Sequence, residues 1–206
     1  MEHGDAESVR QHLLADLPYQ HGLVRFLENH DEPRAAATFP PDKARAAAVA
    51  VLTLPGAKLL HEGQFEGRKV RLPVFLSRRP VEPVDSDLAG FYDRLLQETS
   101  RDVFRTGQWR LCERSGWPDN VSHRNILTWC WELKGERRLI VINFSDAASQ
   151  AMVRASWEDL RGRLWRFSEA LSGETFERDG DGLGRHGLFV SLDPWRWHFL
   201  RLKPVD

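Results

Sequence analysis

With 206 residues, an apolar fraction of 41% and 29 basic against 30 acidic side chains, the chain can bury one large core or two modest ones, which excludes a disordered polyelectrolyte. A net charge of −1 gives no electrostatic reason for a partner of opposite charge, so neither nucleic acid nor an anionic membrane is expected. The first twenty residues carry no apolar run after a basic start, and no later stretch approaches membrane-spanning length, so the expected location is cytoplasmic.

Val9, Leu13, Leu14 and Leu17 recur at helical spacing and predict an amphipathic helix over residues 6–17. Val24 to Leu27 is a short apolar run of strand type that leads into Asn29-His30-Asp31. The next helix is predicted to start at Pro41-Asp42, where proline is tolerated, and to end before Pro55-Gly56. Ala46 to Leu52 make it apolar almost all round, which predicts close packing against strands. A second strand follows at Lys58-Leu59-Leu60 and gives way to His61-Glu62-Gly63-Gln64. The Arg and Pro cluster of residues 78–84 reads as a loop, and a helix beginning at Asp85 or Ser86 carries Leu88, Phe91, Tyr92, Leu95 and Leu96 on one stripe.

Composition changes near residue 100, and all eight tryptophans lie beyond it. Leu127, Trp129, Trp131 and Leu133 alternate onto one face, as do Ile140, Ile142 and Phe144, with Lys134-Gly135-Glu136 between them as a hairpin turn. Further strands are predicted over residues 164–167, 175–178, 188–192 and 197–202, with Asp-Gly pairs at 179–182 as turns. Together they predict an antiparallel β-sandwich. Cys112 and Cys130 lack the spacing of a zinc site, so buried free thiols are expected, with a disulfide between neighbouring strands as the alternative. Arg178 to Gly182 is similar to part of a calcium loop but lacks its later acidic ligand, and a hairpin tip is the better reading. No metal or cofactor is expected. His30, Asp31 and Glu32 with His61 and Glu62 can be drawn as a metal site, but such clusters at strand ends more often bind substrate or each other.

Residues 23–67, with the tail after about Arg101, resemble the α-amylase family of retaining glycoside hydrolases. That family's seventh barrel strand ends in Phe-x-x-Asn-His-Asp, here Phe26-Leu27-Glu28-Asn29-His30-Asp31. The family then tends to carry Pro-Gly, a hydrophobic strand and Gly-Gln, matched by Pro55-Gly56, Lys58-Leu59-Leu60 and Gly63-Gln64. The resemblance implies a fold of mixed α/β and all-β character: the last two strands and helices of a (β/α)8 barrel over residues 1–103, then an antiparallel β-sandwich over 104–206. In a barrel of this kind the loops after the strands converge on one pocket.

The resemblance implies that Asp31 is the catalytic carboxylate that stabilises developing oxocarbenium charge, and that His30 binds a sugar hydroxyl. Asn29 is expected to brace the turn. Gln64 is a candidate for substrate contact or for bracing its loop, while Glu28, Glu32 and Arg34 read as salt-bridged supports. Phe65, not an acidic residue, follows Gly63-Gln64, a departure from the family's usual pattern. The implied substrate is an α-glucan or oligosaccharide, cleaved through a covalent glycosyl intermediate.

The family's nucleophile and acid/base come from strands four and five, which do not fit into the length before the sandwich. An isolated chain is therefore expected to be inert, and a chain or segment supplying the rest of the barrel is an implied partner. A rescue pairing Asp31 with Glu62 has no support in the family pattern. The first hundred residues are expected to be marginal alone and the β half self-sufficient. The alternative reading is a carbohydrate-binding or structural β-sandwich without catalysis, in which loop residues Trp117 or Trp157 stack on sugar and Trp129, Trp131, Trp195 and Trp197 belong to the core.

Overall fold

The computed structural model describes residues 4–73, 75 and 78–205. The N-terminal helix is shorter than its apolar spacing suggests. Helix α1 (Ala6–Leu13) is capped by Asp5, whose Oδ1 accepts from the Ser8 N–H at 2.7 Å. The chain then tightens, with Leu14 and Ala15 N–H groups donating to the Gln11 and His12 carbonyls. Asp16 caps a separate helix, α2 (Leu17–Gly22). Pro18 explains the break, because a proline is accommodated in a helix's first turn but not in its interior. Of the predicted stripe, Leu13 is buried while Leu14 and Leu17 are exposed.

Strands β1 (Val24–Arg25) and β2 (Ala57–Lys58) are parallel, with Val24 opposite Ala57 and Arg25 opposite Lys58. Each is shorter than its apolar run, and among the described residues no closed barrel forms. Between them lie a single turn, α3 (Ala35–Thr38), which the sequence reading did not foresee, and the alanine-rich α4 (Pro41–Thr53). Beyond β2 comes α5 (Ser86–Thr99), capped by Asp85 through the Leu88 N–H at 2.9 Å. It buries Phe91, Tyr92 and Leu95 as its stripe predicts, and α6 (Val103–Thr106) follows.

The remainder is the predicted antiparallel sandwich. Its larger sheet runs in the order β3 (Gln108–Leu111), β5 (Ile126–Leu133), β6 (Glu136–Asn143), β11 (Trp197–Pro204), β8 (Leu164–Glu169) and β9 (Thr175–Asp179). The smaller sheet is β10 (Leu188–Leu192), β7 (Ser149–Arg154) and β4 (Glu113–Ser115). Strands β5 and β6 form the expected hairpin, with Leu133 opposite Glu136. Its two turn residues, Lys134 and Gly135, have φ of 48° and 84°, the left-handed pair that matches the twist of the flanking strands. The Asp-Gly repeat at 179–182 does not form a hairpin tip. Asp179 instead accepts from the Gly182 N–H at 2.8 Å and caps helix α7 (Gly180–His186).

Alternation along the central strands gives the larger sheet two buried faces. Ile126, Cys130, Leu139, Val141, Leu200 and Leu202 face the smaller sheet. Leu127, Trp129, Trp131, Ile140, Ile142 and Phe199 face the helices, where they join Ala46 to Ala50, Leu52, Phe91 and Leu95 in one core. Helix α4 is pinned there by both indoles. Trp129 Nε1 donates to Thr53 Oγ1 at 3.2 Å and Trp131 Nε1 to the Thr53 carbonyl at 2.7 Å. This double packing is why α4 is apolar all round. The helical face of the larger sheet is thus covered by residues from the first hundred. Cys112 and Cys130 are both buried and free. Burial pushes the Cys112 thiol well above its ordinary range. Among the described residues no helix is long and apolar enough to cross a membrane.

Candidate active site

The loop after β1 is built by its own side chains. Asn29 Oδ1 accepts from the backbone N–H groups of Asp31 at 2.8 Å and Glu32 at 2.9 Å. This is the local turn that asparagine favours, because its short amide mimics a backbone carbonyl. The turn lifts His30 and Asp31 into solvent, with side chains 65% and 70% exposed and His30 Nε2 3.3 Å from Asp31 Oδ2. Both side chains are thus open to solvent, whereas Asn29 braces the turn as expected.

Beneath them lies a buried clasp. Glu28, 1% exposed, accepts from the Ala35 N–H at 2.6 Å and pairs with Arg34 at 2.9 Å. Its Oε1 also lies 3.6 Å from His61 Nδ1, at the end of the second strand. Arg34, 4% exposed, donates in turn to the Glu62 carbonyl at 2.8 Å. One carboxylate thus ties the loop after β1, the start of α3 and the loop after β2 into a single unit. Burial pushes the Glu28 carboxyl above its ordinary pKa, opposed by the Ala35 N–H and the Arg34 guanidinium. The expected supports Glu28 and Arg34 do pair, but Glu32 is exposed and only its backbone joins the turn.

Gln64, in the turn after β2, stands as a brace. It is 5% exposed, donates to the Tyr92 hydroxyl at 3.0 Å and accepts from the His61 N–H at 3.3 Å. Tyr92, on α5, is pushed up to about 12 by burial, which keeps its hydroxyl neutral. Phe65, whose presence departs from the family pattern, packs its ring 4.9 Å from that of Tyr92. The Glu62 carboxylate pairs with Arg79 at the surface. Among the described residues no three His, Cys, Asp or Glu side chains are grouped to hold a metal ion.

Sequence reasoning did not find the part played by His61 and Tyr92, since both act through contacts distant in the chain. Trp157 was a candidate sugar contact, yet it is 7% exposed, with the Arg137 guanidinium 5.4 Å from its ring. The loop that carries it folds inward because Arg137 bridges Glu132 and Asp159. Trp117 is exposed, as that reading requires.

The clasp yields a direct expectation for stability. Glu28→Ala leaves the buried Arg34 charge without its carboxylate and the Ala35 N–H without an acceptor, and should cost about 3–5 kcal/mol. Urea unfolding of the two proteins measures this, and a difference below about 0.5 kcal/mol, the size of a surface substitution, would show that the pair is dispensable.

No family model matches the chain. Among curated proteins it is similar to an α-amylase, MalA, of Haloarcula japonica, with 38% identity over 72 residues, covering 33% of this chain and 11% of that protein. Among solved structures it resembles the noncanonic maltogenic α-amylase AmyB of Thermotoga neapolitana, with a TM-score of 0.70 at 17% identity, covering 86% of this chain and 40% of that one. It also resembles the Geobacillus thermoleovorans α-amylase crystallised with acarbose, with a TM-score of 0.69 at 16% identity over 95% of this chain and 42% of the other. A debranching enzyme of Nostoc punctiforme gives a TM-score of 0.63 at 19% identity, over 95% of this chain and 37% of that one. The chain therefore spans about two fifths of the solved relatives. The shared fold is that of a barrel's last strands followed by an antiparallel sandwich, and the resemblance to α-amylase-family proteins holds in both sequence and fold.

Proposed function

We propose that these residues form the C-terminal portion of an α-amylase-like glycoside hydrolase acting on α-glucosidic bonds of α-glucans or maltooligosaccharides. The observation that carries this reading is the loop after β1. There a braced turn presents the His30 and Asp31 side chains to solvent, while Glu28 below fixes that turn to the end of the neighbouring parallel strand. In this reading Asp31 holds the ring and stabilises positive charge as the glycosidic bond breaks, an interaction worth most in a pocket closed to water. His30 holds a hydroxyl, and Gln64 contributes by keeping its loop in place.

The same reading calls for a polypeptide that supplies the other barrel strands, with their nucleophile and proton donor. A groove of about 590 Å³ opens beside β1, between α1, α3 and α4. Val24, Phe26, Leu59 and Leu60 are 57, 39, 39 and 37% exposed around the two short strands. Strand edges and apolar faces left open in this way invite pairing. In this reading the remaining barrel strands cover them, and the second carboxylate that a retaining mechanism needs across the scissile bond from Asp31 comes with that complement. The purified 206-residue chain is accordingly expected to release no chromophore from a nitrophenyl maltooligosaccharide above a mock preparation. Turnover that copurifies with the chain and disappears in Asp31→Asn would show that the chain is complete by itself.

A further inference from the structure

We propose that the outward face of the smaller sheet is a second sugar-binding surface, on which a neutral glucan chain rests against Trp117 and Phe189. The choice of glucan rests on the function proposed above, while the surface itself rests on separate observations.

In strand β10 the side chains alternate, so Leu188, Val190 and Leu192 enter the core while Phe189 and Ser191 face solvent. In β7, Ser149, Ala151 and Val153 are buried, and Gln150 and Met152 lie on the same outward face. The pairing sets Phe189 opposite Met152 and Ser191 opposite Gln150. Trp117 reaches this face from the turn after β4. Its ring meets that of Phe189 at 5.9 Å and 63°, and the two remain 37% and 51% exposed. A lone exposed aromatic needs no explanation, but two in contact beside a methionine make an apolar patch that folding alone does not require.

The turn carrying Trp117 is rigid. Trp117 and Asn120 exchange backbone hydrogen bonds of 3.1 and 3.0 Å across Pro118 and Asp119, and Asn120 Oδ1 accepts from the Ser122 N–H at 3.0 Å. Gly116 permits the approach to this turn, since a Cβ there would lie 2.3 Å from His123 Nδ1. The backbone that carries the ring is therefore braced before any ligand arrives, which lowers the ordering cost of binding.

Beside the rings runs a row of uncharged polar groups. Asn120 Nδ2 donates to Gln150 Oε1 at 3.0 Å, and Gln150 Nε2 donates to Ser191 Oγ at 3.4 Å. Each amide keeps a second N–H, and the serine keeps its own proton. The charged pair of this sheet, Glu113 opposite Arg154, occupies the next outward rung on the other side of Met152, and Asp119 is exposed in the turn that carries Trp117. An aromatic surface bordered on one side by neutral donors and acceptors matches a pyranose ring, which has apolar C–H faces and a rim of hydroxyls.

Calorimetric titration of the 206-residue chain with maltoheptaose tests the assignment, with Trp117→Ala, Phe189→Ser and Asp31→Ala in parallel and circular dichroism confirming the fold of each. Trp117→Ala should weaken binding by about tenfold or more and Phe189→Ser by severalfold, with Asp31→Ala within about twofold of the native chain. Binding that survives both aromatic substitutions but is lost in Asp31→Ala would overturn the second surface and support the Asp31 site. No binding by the native chain would also overturn it, and leaves the Asp31 reading to be judged by reconstituted activity. If Trp117→Ala abolishes self-association in sedimentation without changing sugar binding, the face is a protein contact and the assignment is wrong.

Discussion

Residues 104–206 expressed alone are expected to self-associate and to bind a hydrophobic dye strongly, even though they contain both sheets of the sandwich. The reason lies in the second face of the larger sheet. Leu127, Trp129, Trp131, Ile140, Ile142 and Phe199 are buried there against α4 and α5 rather than against the smaller sheet. A buried aromatic accounts for about 150–250 Å² of surface. The two tryptophans and Phe199 alone would therefore expose an area at or above the largest patch of a typical monomer, about 300–600 Å². The indole N–H groups of Trp129 and Trp131 would lose Thr53 as acceptor as well. The clasp of Glu98 with Arg201 and Arg138, which joins α5 to β11 and β6, would be lost, leaving Arg201 without its carboxylate and Arg138 with Glu136 alone. Sedimentation and dye fluorescence measure the outcome. A cooperatively unfolding, dye-silent monomer of residues 104–206 would show that this face tolerates water. The same shared core predicts that limited proteolysis of the whole chain will not release a stable β half.

Where local chemistry decides the structure, the sequence was easily read. The alanine run of α4, the capped start of α5 at Asp85 and the Lys134-Gly135 hairpin each satisfy their own backbone within a few residues. Asn29 builds its turn from two adjacent N–H groups, so the presentation of His30 and Asp31 was legible for the same reason. What was missed depends on distant partners. Strand β7 has the weakly apolar sequence Ser-Gln-Ala-Met-Val-Arg, and its alternation is meaningful only once Ala151 and Val153 meet the larger sheet. Helix α7 carries three glycines in seven residues, a composition that disfavours helix. It forms because Asp179 caps it and Leu183 is buried in the sandwich. Glu28 and Arg34 read as salt-bridged supports, but their burial and the approach of His61 follow only from the pairing of β1 with β2.

If the missing strands are supplied in trans, as a polypeptide carrying the first six barrel strands with their two carboxylates, the mixture is expected to hydrolyse a maltooligosaccharide. Asp31→Asn in this chain should then lower kcat/KM on the order of 10³-fold, since removing one preorganised electrostatic partner of a developing charge costs 10²–10³ and carboxylates acting as a unit cost more. Asparagine keeps the shape and hydrogen-bonding reach of the side chain while removing the negative charge, so the loss should fall on kcat more than on KM. His30→Ala should raise KM with a smaller change in kcat, because a hydroxyl contact is made in the ground state as well as in the transition state. Glu28→Gln separates position from chemistry. It retains an acceptor for the Ala35 N–H and does not face the ligand, so its effect on kcat should stay well below that of Asp31→Asn. Assembly must be measured independently, by sedimentation of the two polypeptides, with each variant forming the same complex. A reconstituted enzyme in which Asp31→Asn keeps its full kcat would remove this carboxylate from the chemistry, however closely its loop matches the family pattern.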